Sequence, residues 1–140
     1  MSKKTPVNDP MVGTWKLDLS KSTYSPGPAP KSAINKFDPW EDGIKATMEM
    51  VDGQGNIIHS EATVKFDGRD YPIKGSPIAD TVSVKRANEK QAEILWKKAG
   101  KVTMAGKSVI SGDGRTTTLT QTGTDPQGHA VNNTAVYEKQ

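Results

Sequence analysis

Turns that contain glycine recur along this chain at short, regular intervals. Asp52-Gly53-Gln54-Gly55, Asp67-Gly68 and Gly112-Asp113-Gly114 are three of them. Glycine supplies the positive φ that a tight hairpin turn needs. The stretches between turns repeat at roughly 8–12 residues, which accommodates one strand and not a strand–helix unit. The spacing therefore predicts a series of antiparallel hairpins.

Apolar and polar residues alternate within these stretches, which is the period of a half-buried strand. Ile44–Val51 alternates in this way, and Ala92, Ile94 and Trp96 share one face of another stretch. No long segment shows helical periodicity. Sequential hairpins favour a meander, and closure of the sheet removes exposed edges. We therefore predict an all-β fold, a single up-and-down antiparallel β-barrel of about 8–10 strands.

The chain of 140 residues is expected to form one domain. We assign residues 1–10 to a flexible N-terminal lead-in and residues 11–140 to the barrel. Ser25-Pro26-Gly27-Pro28-Ala29-Pro30 cannot be helical, because proline removes donors and extends the residue before it. This segment is predicted to be an extended crossover over one end of the sheet, with a 3₁₀ turn possible within Ser20–Ser25.

The composition restricts the interior and the partners. Only 33% of the residues are hydrophobic, which indicates either partial disorder or an interior lined partly by polar groups. The regular strand pattern favours the polar interior. The net charge of +3 comes from lysines spread along the chain, whereas a nucleic-acid surface clusters its charge. We therefore expect no nucleic-acid partner. There is no cysteine and there are two histidines, so we expect no metal site, and we expect no cofactor.

The chain also lacks the sequence features of membrane proteins. No apolar run approaches the ~18 residues that a membrane span requires. Met1-Ser2-Lys3-Lys4-Thr5-Pro6 has no apolar segment of a signal peptide. We expect a soluble monomer that is cytoplasmic if the chain is full length, and periplasmic or secreted if a signal peptide was removed.

The first predicted strand carries a family resemblance. Met11-Val12-Gly13-Thr14-Trp15-Lys16-Leu17 resembles the opening Gly-x-Trp strand of the calycins, the superfamily of lipocalins and intracellular fatty-acid-binding proteins. Tyr137-Glu138-Lys139 resembles the closing strand of the fatty-acid-binding branch. The segments Pro26–Pro30 and Asp67–Pro72 are similar to those of small, uncharacterised bacterial lipocalin-like proteins. The resemblance implies a calycin barrel that binds a small hydrophobic molecule.

Two departures limit what the resemblance implies. Fatty-acid-binding proteins insert a pair of helices as a lid after the first strand, where this chain has its proline-rich segment. They also hold the ligand carboxylate with an arginine two residues before the closing tyrosine, and that position is Ala135 here. The resemblance therefore implies the barrel without the helical lid, and it does not imply a fatty-acid ligand.

The inward face of the predicted barrel is the leading candidate site. It is apolar and contains several methionines, which adapt to ligands of irregular shape. The alternative is that these side chains meet and fill the barrel. Polar groups expected to reach the lumen are Ser60, Arg69, Tyr71, Ser108, Gln121 and Tyr137. The residues predicted to bind a small hydrophobic or amphipathic molecule are Ile44, Met48, Met50, Ala62, Val64, Phe66, Tyr71, Val84, Ile94, Trp96, Met104 and Tyr137.

The second hypothesis is an enzyme of hydrolase, isomerase or lyase type that uses ionisable groups in the same lumen. The catalytic candidates are His59, Glu61, Glu49 and Arg69. His59 and Glu61 share one face of their strand, as a base and its orienting carboxylate would. Their parity is opposite to that of the apolar residues, which predicts a solvated outer face. No Gly-x-Ser-x-Gly elbow and no phosphate-binding loop occurs. A third hypothesis is a structural or interaction module.

Overall fold

The computed structural model describes residues 4–125 and 127–140. Within these residues the regular structure consists of eleven strands and one 3₁₀ turn, Leu19–Lys21, and contains no α-helix. The strands are β1 (Gly13–Leu17), β2 (Thr23–Ser25), β3 (Ser32–Trp40), β4 (Gly43–Val51), β5 (Ile57–Val64), β6 (Tyr71–Lys74), β7 (Thr81–Asn88), β8 (Gln91–Lys98), β9 (Lys101–Ile110), β10 (Thr116–Thr124) and β11 (Ala130–Lys139).

The strands form a closed antiparallel barrel. From β3 to β11 each strand pairs with the next one along the chain, and β1 pairs with both β3 and β11. Ten strands thus make the wall, while β2 pairs only with β11 and continues the row that β1 begins. The predicted all-β, up-and-down barrel without a helical lid is confirmed, at the upper end of the predicted strand number.

Ser22 joins the two short strands that lie along β11. Between β1 and β2 the 3₁₀ turn interrupts the hydrogen bonds that this side of the barrel makes with β11. The backbone N–H and C=O groups of Val136 therefore need other hydrogen-bond partners. The Val136 amide donates to Ser22 Oγ at 2.9 Å, and the Asp18 amide donates to the Val136 carbonyl at 2.8 Å. The Ser22 hydroxyl donates in turn to the Asp18 carbonyl at 2.7 Å. The barrel therefore stays hydrogen-bonded across the interruption.

The sequence pattern does not predict β2, which lies where a 3₁₀ turn was expected; that turn forms earlier, at Leu19–Lys21. A strand of three residues is too short to show periodicity. It forms because β11 continues beyond the end of β1 and offers free backbone groups, so that Tyr24 is in register with Asn133. The turn predicted at Asp125-Pro126-Gln127-Gly128 is described except at Pro126, which lies outside the described residues.

An irregular segment before β1, residues 4–12, packs against one end of the barrel, and we call it the floor. The Arg86 guanidinium holds Asp9 through two hydrogen bonds of 2.7 and 2.8 Å, and it lies 4.9 Å from the centre of the Phe66 ring. The Trp15 indole donates to the Met11 carbonyl at 3.0 Å. Residues 1–3 lie outside the described residues, and the flexibility assigned to residues 1–10 stays a prediction.

The proline-rich segment lies at the opposite end of the barrel, against the turn between β4 and β5. The Lys31 amide donates to the Val51 carbonyl at 2.8 Å. A Cβ atom at Gly53 would lie 2.5 Å from Cγ of Pro28, so the turn has no room for a side chain there. Tyr24, at the start of this segment, packs against the core.

Trp15 belongs to the strand that closes the barrel and is 1% exposed. Its partner in register on β11 is Lys139, whose Nζ lies 5.4 Å from the centre of the indole ring.

We expect Trp15→Ala to lower the free energy of unfolding by about 3–5 kcal/mol, because it leaves a cavity and removes an indole hydrogen bond. Urea denaturation measures the loss. The control Val102→Ala, at a 53% exposed position, should change stability by at most about 0.5 kcal/mol. Equal midpoints for the two variants would contradict this role of Trp15.

The pair formed by Asp9 and Arg86 should make stability depend on pH. Burial alone would raise the pKa of Asp9, but the hydrogen bonds from Arg86 and the Met11 amide, with nearby positive charge, hold it below 3.8. A carboxyl group whose pKa is lower in the folded than in the unfolded protein stabilises the fold at pH values above its unfolded pKa. This stabilisation is lost as the pH falls through the pKa of the folded state. The Asp9 and Arg86 side chains are only 10% and 14% exposed. We therefore expect Asp9→Asn to cost about 2–4 kcal/mol at pH 7.

Thermal unfolding of the two proteins from pH 7 to pH 2 measures this effect. The difference between wild type and Asp9→Asn should shrink as the pH falls from about 3.8, where the unfolded carboxyl gains a proton, through the lower pKa of Asp9 in the folded protein. Glu138→Gln is the control, since Glu138 and Lys21 form a 2.9 Å ion pair on the exposed surface. It should shift the midpoint far less than Asp9→Asn. A difference between wild type and Asp9→Asn that does not change with pH would contradict the prediction.

Candidate functional site

The barrel wall surrounds a cavity of about 180 Å³ that is partly open to solvent, and nearly every strand contributes residues to it. A single water molecule needs about 10–15 Å³, and an apolar cavity of about 150 Å³ in another protein holds benzene. The side chains therefore do not fill the interior, and the space left is the size of a small organic molecule.

Small residues at inward positions create this space. Ala46 on β4 lies opposite Ala62 on β5, and Ala92 faces inward from β8. Ser60 and Ser108 occupy comparable positions on β5 and β9. A ten-stranded barrel is wider than the eight-stranded one that side chains just fill. Short side chains on a wide barrel cannot meet across its axis.

Gly106 lets Trp96 lie along the wall of the cavity. A Cβ atom at Gly106 would lie 2.9 Å from Cζ3 and 3.1 Å from Cη2 of the indole. The ring thus covers the glycine on the neighbouring strand, and any larger residue there would push it away. Placed in this way, Trp96 contributes apolar surface to the cavity.

Most of the cavity surface is apolar. One end is closed by Met11 of the floor and by Trp15, and the sides are formed by β-branched, leucine and aromatic residues. These side residues are Phe37, Ile44, Val64, Ile73, Val82, Val84, Ile94, Trp96, Ile110 and Leu119.

A few polar side chains also border the cavity. Asn35, Thr117 and Tyr137 come from β3, β10 and β11. Thr47 and Glu61 also border the cavity, but they pair with each other between the inward residues of β4 and β5, so their parity is outward. Burial raises the pKa of the Tyr137 phenol, and hydrogen bonding by the Asn35 side chain offsets part of that rise. The phenol is therefore neutral at physiological pH and available for hydrogen bonding.

The structure brings most of the predicted ligand-binding residues together around the cavity. They share inward parity in the register of the ladder, as the alternation in the sequence predicts. Contact with a ligand stays a prediction for every one of them. Those that border the cavity are Ile44, Met48, Ala62, Val64, Val84, Ile94, Trp96 and Tyr137.

Four predicted residues lie elsewhere. Met104 occupies the space beside Gly123, where a Cβ atom would lie 2.9 Å from its sulfur. Met50 pairs with Ala33 and Ile58, towards the end that carries the proline-rich segment. The remaining two are engaged outside the cavity: Phe66 lies beneath Arg86, and the Tyr71 hydroxyl donates to Asp67 Oδ2 at 2.7 Å.

Several residues that border the cavity have weak or misleading sequence signals. On β3 the apolar Ile34 is 42% exposed, and its polar neighbour Asn35 faces inward. Alternation that runs through Ala33, Asn35 and Phe37 could have identified this face, but a polar residue interrupts it. Met11 lies in a segment without regular structure, so no periodicity marks it.

The proposed catalytic residues do not converge in the lumen. His59 Nδ1 lies 3.4 Å from Glu49 Oε1 on the outer face, with side chains 51% and 70% exposed. Arg69 is exposed in the loop before β6, and Glu61 borders the cavity alone among the four. The predicted outward parity of His59 agrees with its position. In the part of the chain that the structure describes, no three His, Cys, Asp or Glu side chains are grouped so as to hold a metal ion.

None of the described residues belongs to a helix that is long and apolar enough to cross a membrane.

No protein-family model and no curated protein sequence matches this chain. Among solved structures it is similar to the crystal structure of the zebrafish ileal bile acid-binding protein complexed with cholic acid. The TM-score is 0.54 at 13% sequence identity, over 94% of this chain and 99% of that one. At this identity the similarity shows the fold alone, a closed ten-stranded antiparallel barrel like that of the bile acid-binding protein. The predicted resemblance to calycins is thus confirmed for the fold.

Proposed function

We propose that this protein binds a small, largely apolar molecule in the lumen of its barrel without chemical conversion. The observation that carries the proposal is the cavity of about 180 Å³ with a mainly apolar wall. Apolar cavities with a few polar groups are the usual form of small-molecule sites. The inward residues predicted from the sequence, among them Met48, Ile94 and Trp96, would contact the ligand.

The similar barrel of the bile acid-binding protein supports this proposal, because its structure is described with cholic acid bound. The two chains share the fold and little of the sequence, so the ligand class here is argued from the cavity itself. A ligand that hides about 200 Å² of apolar surface gains about 5 kcal/mol before the cost of lost motion. We therefore expect dissociation constants of about 0.2 mM or weaker for simple apolar compounds.

The other expectations about partners belong to the same proposal. A monomer is sufficient, because one chain closes the barrel that forms the cavity. No cofactor is required for binding without chemistry. The absence of a nucleic-acid partner stays a prediction, as does an enzymatic use of the lumen.

Filling the cavity tests the proposal. Ala46→Phe would place a phenyl ring in the space opposite Ala62, whereas Lys45→Phe adds the same ring on the outer face of the same strand. We expect wild type and Lys45→Phe to bind an environment-sensitive hydrophobic dye saturably at one site, and Ala46→Phe to lose at least about tenfold in affinity. Fluorescence titration measures binding, and circular dichroism confirms that each variant folds.

Two results would contradict the proposal. Dye binding that is equal in wild type and a folded Ala46→Phe would place the site outside the lumen. Absence of saturable binding by any apolar probe would mean that the cavity does not serve as a binding site.

A further inference from the structure

We infer that the lumen selects an uncharged ligand that carries a hydrogen-bond donor, such as an alcohol or an amide, and that Asn35 binds this donor. The inference rests on the proposed function and specifies its ligand class. It is carried by an amide on the lumen side of β3 whose oxygen has no partner among the described residues, in a cavity that no described basic residue borders.

Asn35 is held on the lumen side of β3 by its neighbours. It is in register with Trp15 of β1 on one side and with Met48 of β4 on the other, and all three side chains border the cavity. The strand positions thus fix the location of the amide between two large apolar side chains.

The amide oxygen of Asn35 has an unmet hydrogen bond. Oδ1 is shielded from solvent and has no partner among the residues that the structure describes. Buried polar groups are nearly always paired, and an unpaired carbonyl destabilises the protein. The amide nitrogen of Asn35 is already engaged with the Tyr137 phenol, so the oxygen is the atom of the amide that is left without a partner. A ligand O–H or N–H at this place would supply the missing donor.

The charges around the cavity argue against an anionic ligand. Among the described residues that border it there is no lysine, arginine or histidine, and Glu61, the one charged residue there, has the outward parity of His59 on β5. Burial of a ligand carboxylate without a cation is strongly unfavourable. Ala135, the position at which an anchoring arginine would stand, is 1% exposed and carries no polar group. A neutral donor meets no such obstacle.

Three probes with one ring system test the inference: naphthalene, 2-naphthol and 2-naphthoate. They differ in their polar group, so differences in affinity report on that group. We expect 2-naphthol to bind wild type about five- to tenfold more tightly than naphthalene, as one neutral hydrogen bond provides. We expect 2-naphthoate to bind at least about tenfold more weakly than 2-naphthol at pH 7. Titration calorimetry measures all three.

Asn35→Leu removes the amide and keeps the branching of the side chain, and Ser108→Ala is the matched control at another polar position on the border of the cavity. In Asn35→Leu the advantage of 2-naphthol over naphthalene should disappear while naphthalene still binds, and in Ser108→Ala it should persist. Should Asn35→Leu fail to fold, the ¹H–¹⁵N signal of the Asn35 side-chain amide in wild type gives a second measurement. That signal should shift more with 2-naphthol than with naphthalene.

The possible outcomes separate the two proposals. Equal or tighter binding of 2-naphthoate overturns the inference about charge and leaves binding in the lumen intact. A preference for 2-naphthol that survives in Asn35→Leu, or an Asn35 amide signal that responds equally to 2-naphthol and naphthalene, overturns the role of Asn35. Failure of all three probes to bind overturns the proposed function, and the inference with it.

Discussion

The antiparallel pairing of β1 with β11 is the constraint on which the rest of the structure depends. It joins the first and the last strands of the wall, with Leu17 opposite Tyr137, and so fixes the number of strands around the barrel. A closed ladder of ten strands cannot collapse to bring its inner faces together, as two open sheets would. The width is thus set by the backbone, and the side chains determine only how much of the interior is filled. With alanine, serine and glycine at several inward positions, a cavity remains.

The fold was predictable from the sequence wherever the alternation of apolar and polar residues agrees with the inward and outward positions that strand pairing sets. Ala92, Ile94 and Trp96 face inward on β8 as their spacing predicts, and His59 faces outward on β5 as its parity predicts. The prediction is weaker on β3, where Ile34 faces outward and Asn35 inward. There the neighbouring strands β1 and β4 impose the register, and it overrides the polarity of individual residues.

Contacts between distant parts of the chain have no local signal in the sequence. Nothing near Asp9 shows that its partner is Arg86, and nothing in Thr23-Tyr24-Ser25 shows that β11 leaves backbone groups free beside it. The ends of the barrel are built from such contacts, so they could not be predicted in detail. The same contrast holds for the cavity. The residues of its walls come from periodic strands and were largely predicted, whereas Met11 comes from an irregular segment and was not.

The floor has a consequence for how the cavity varies between related sequences or in engineered versions. Because residues 4–12 stand outside the ladder, a change in their length or side chains alters the depth of the cavity without shifting any strand register. A wall residue such as Ile94 has no such freedom, since its position is shared with Val84 and Gly106 on the adjacent strands. Met11 is the residue of the floor that borders the cavity, so substitutions there change the space inside the barrel while the ladder and the contact of Asp9 with Arg86 are retained.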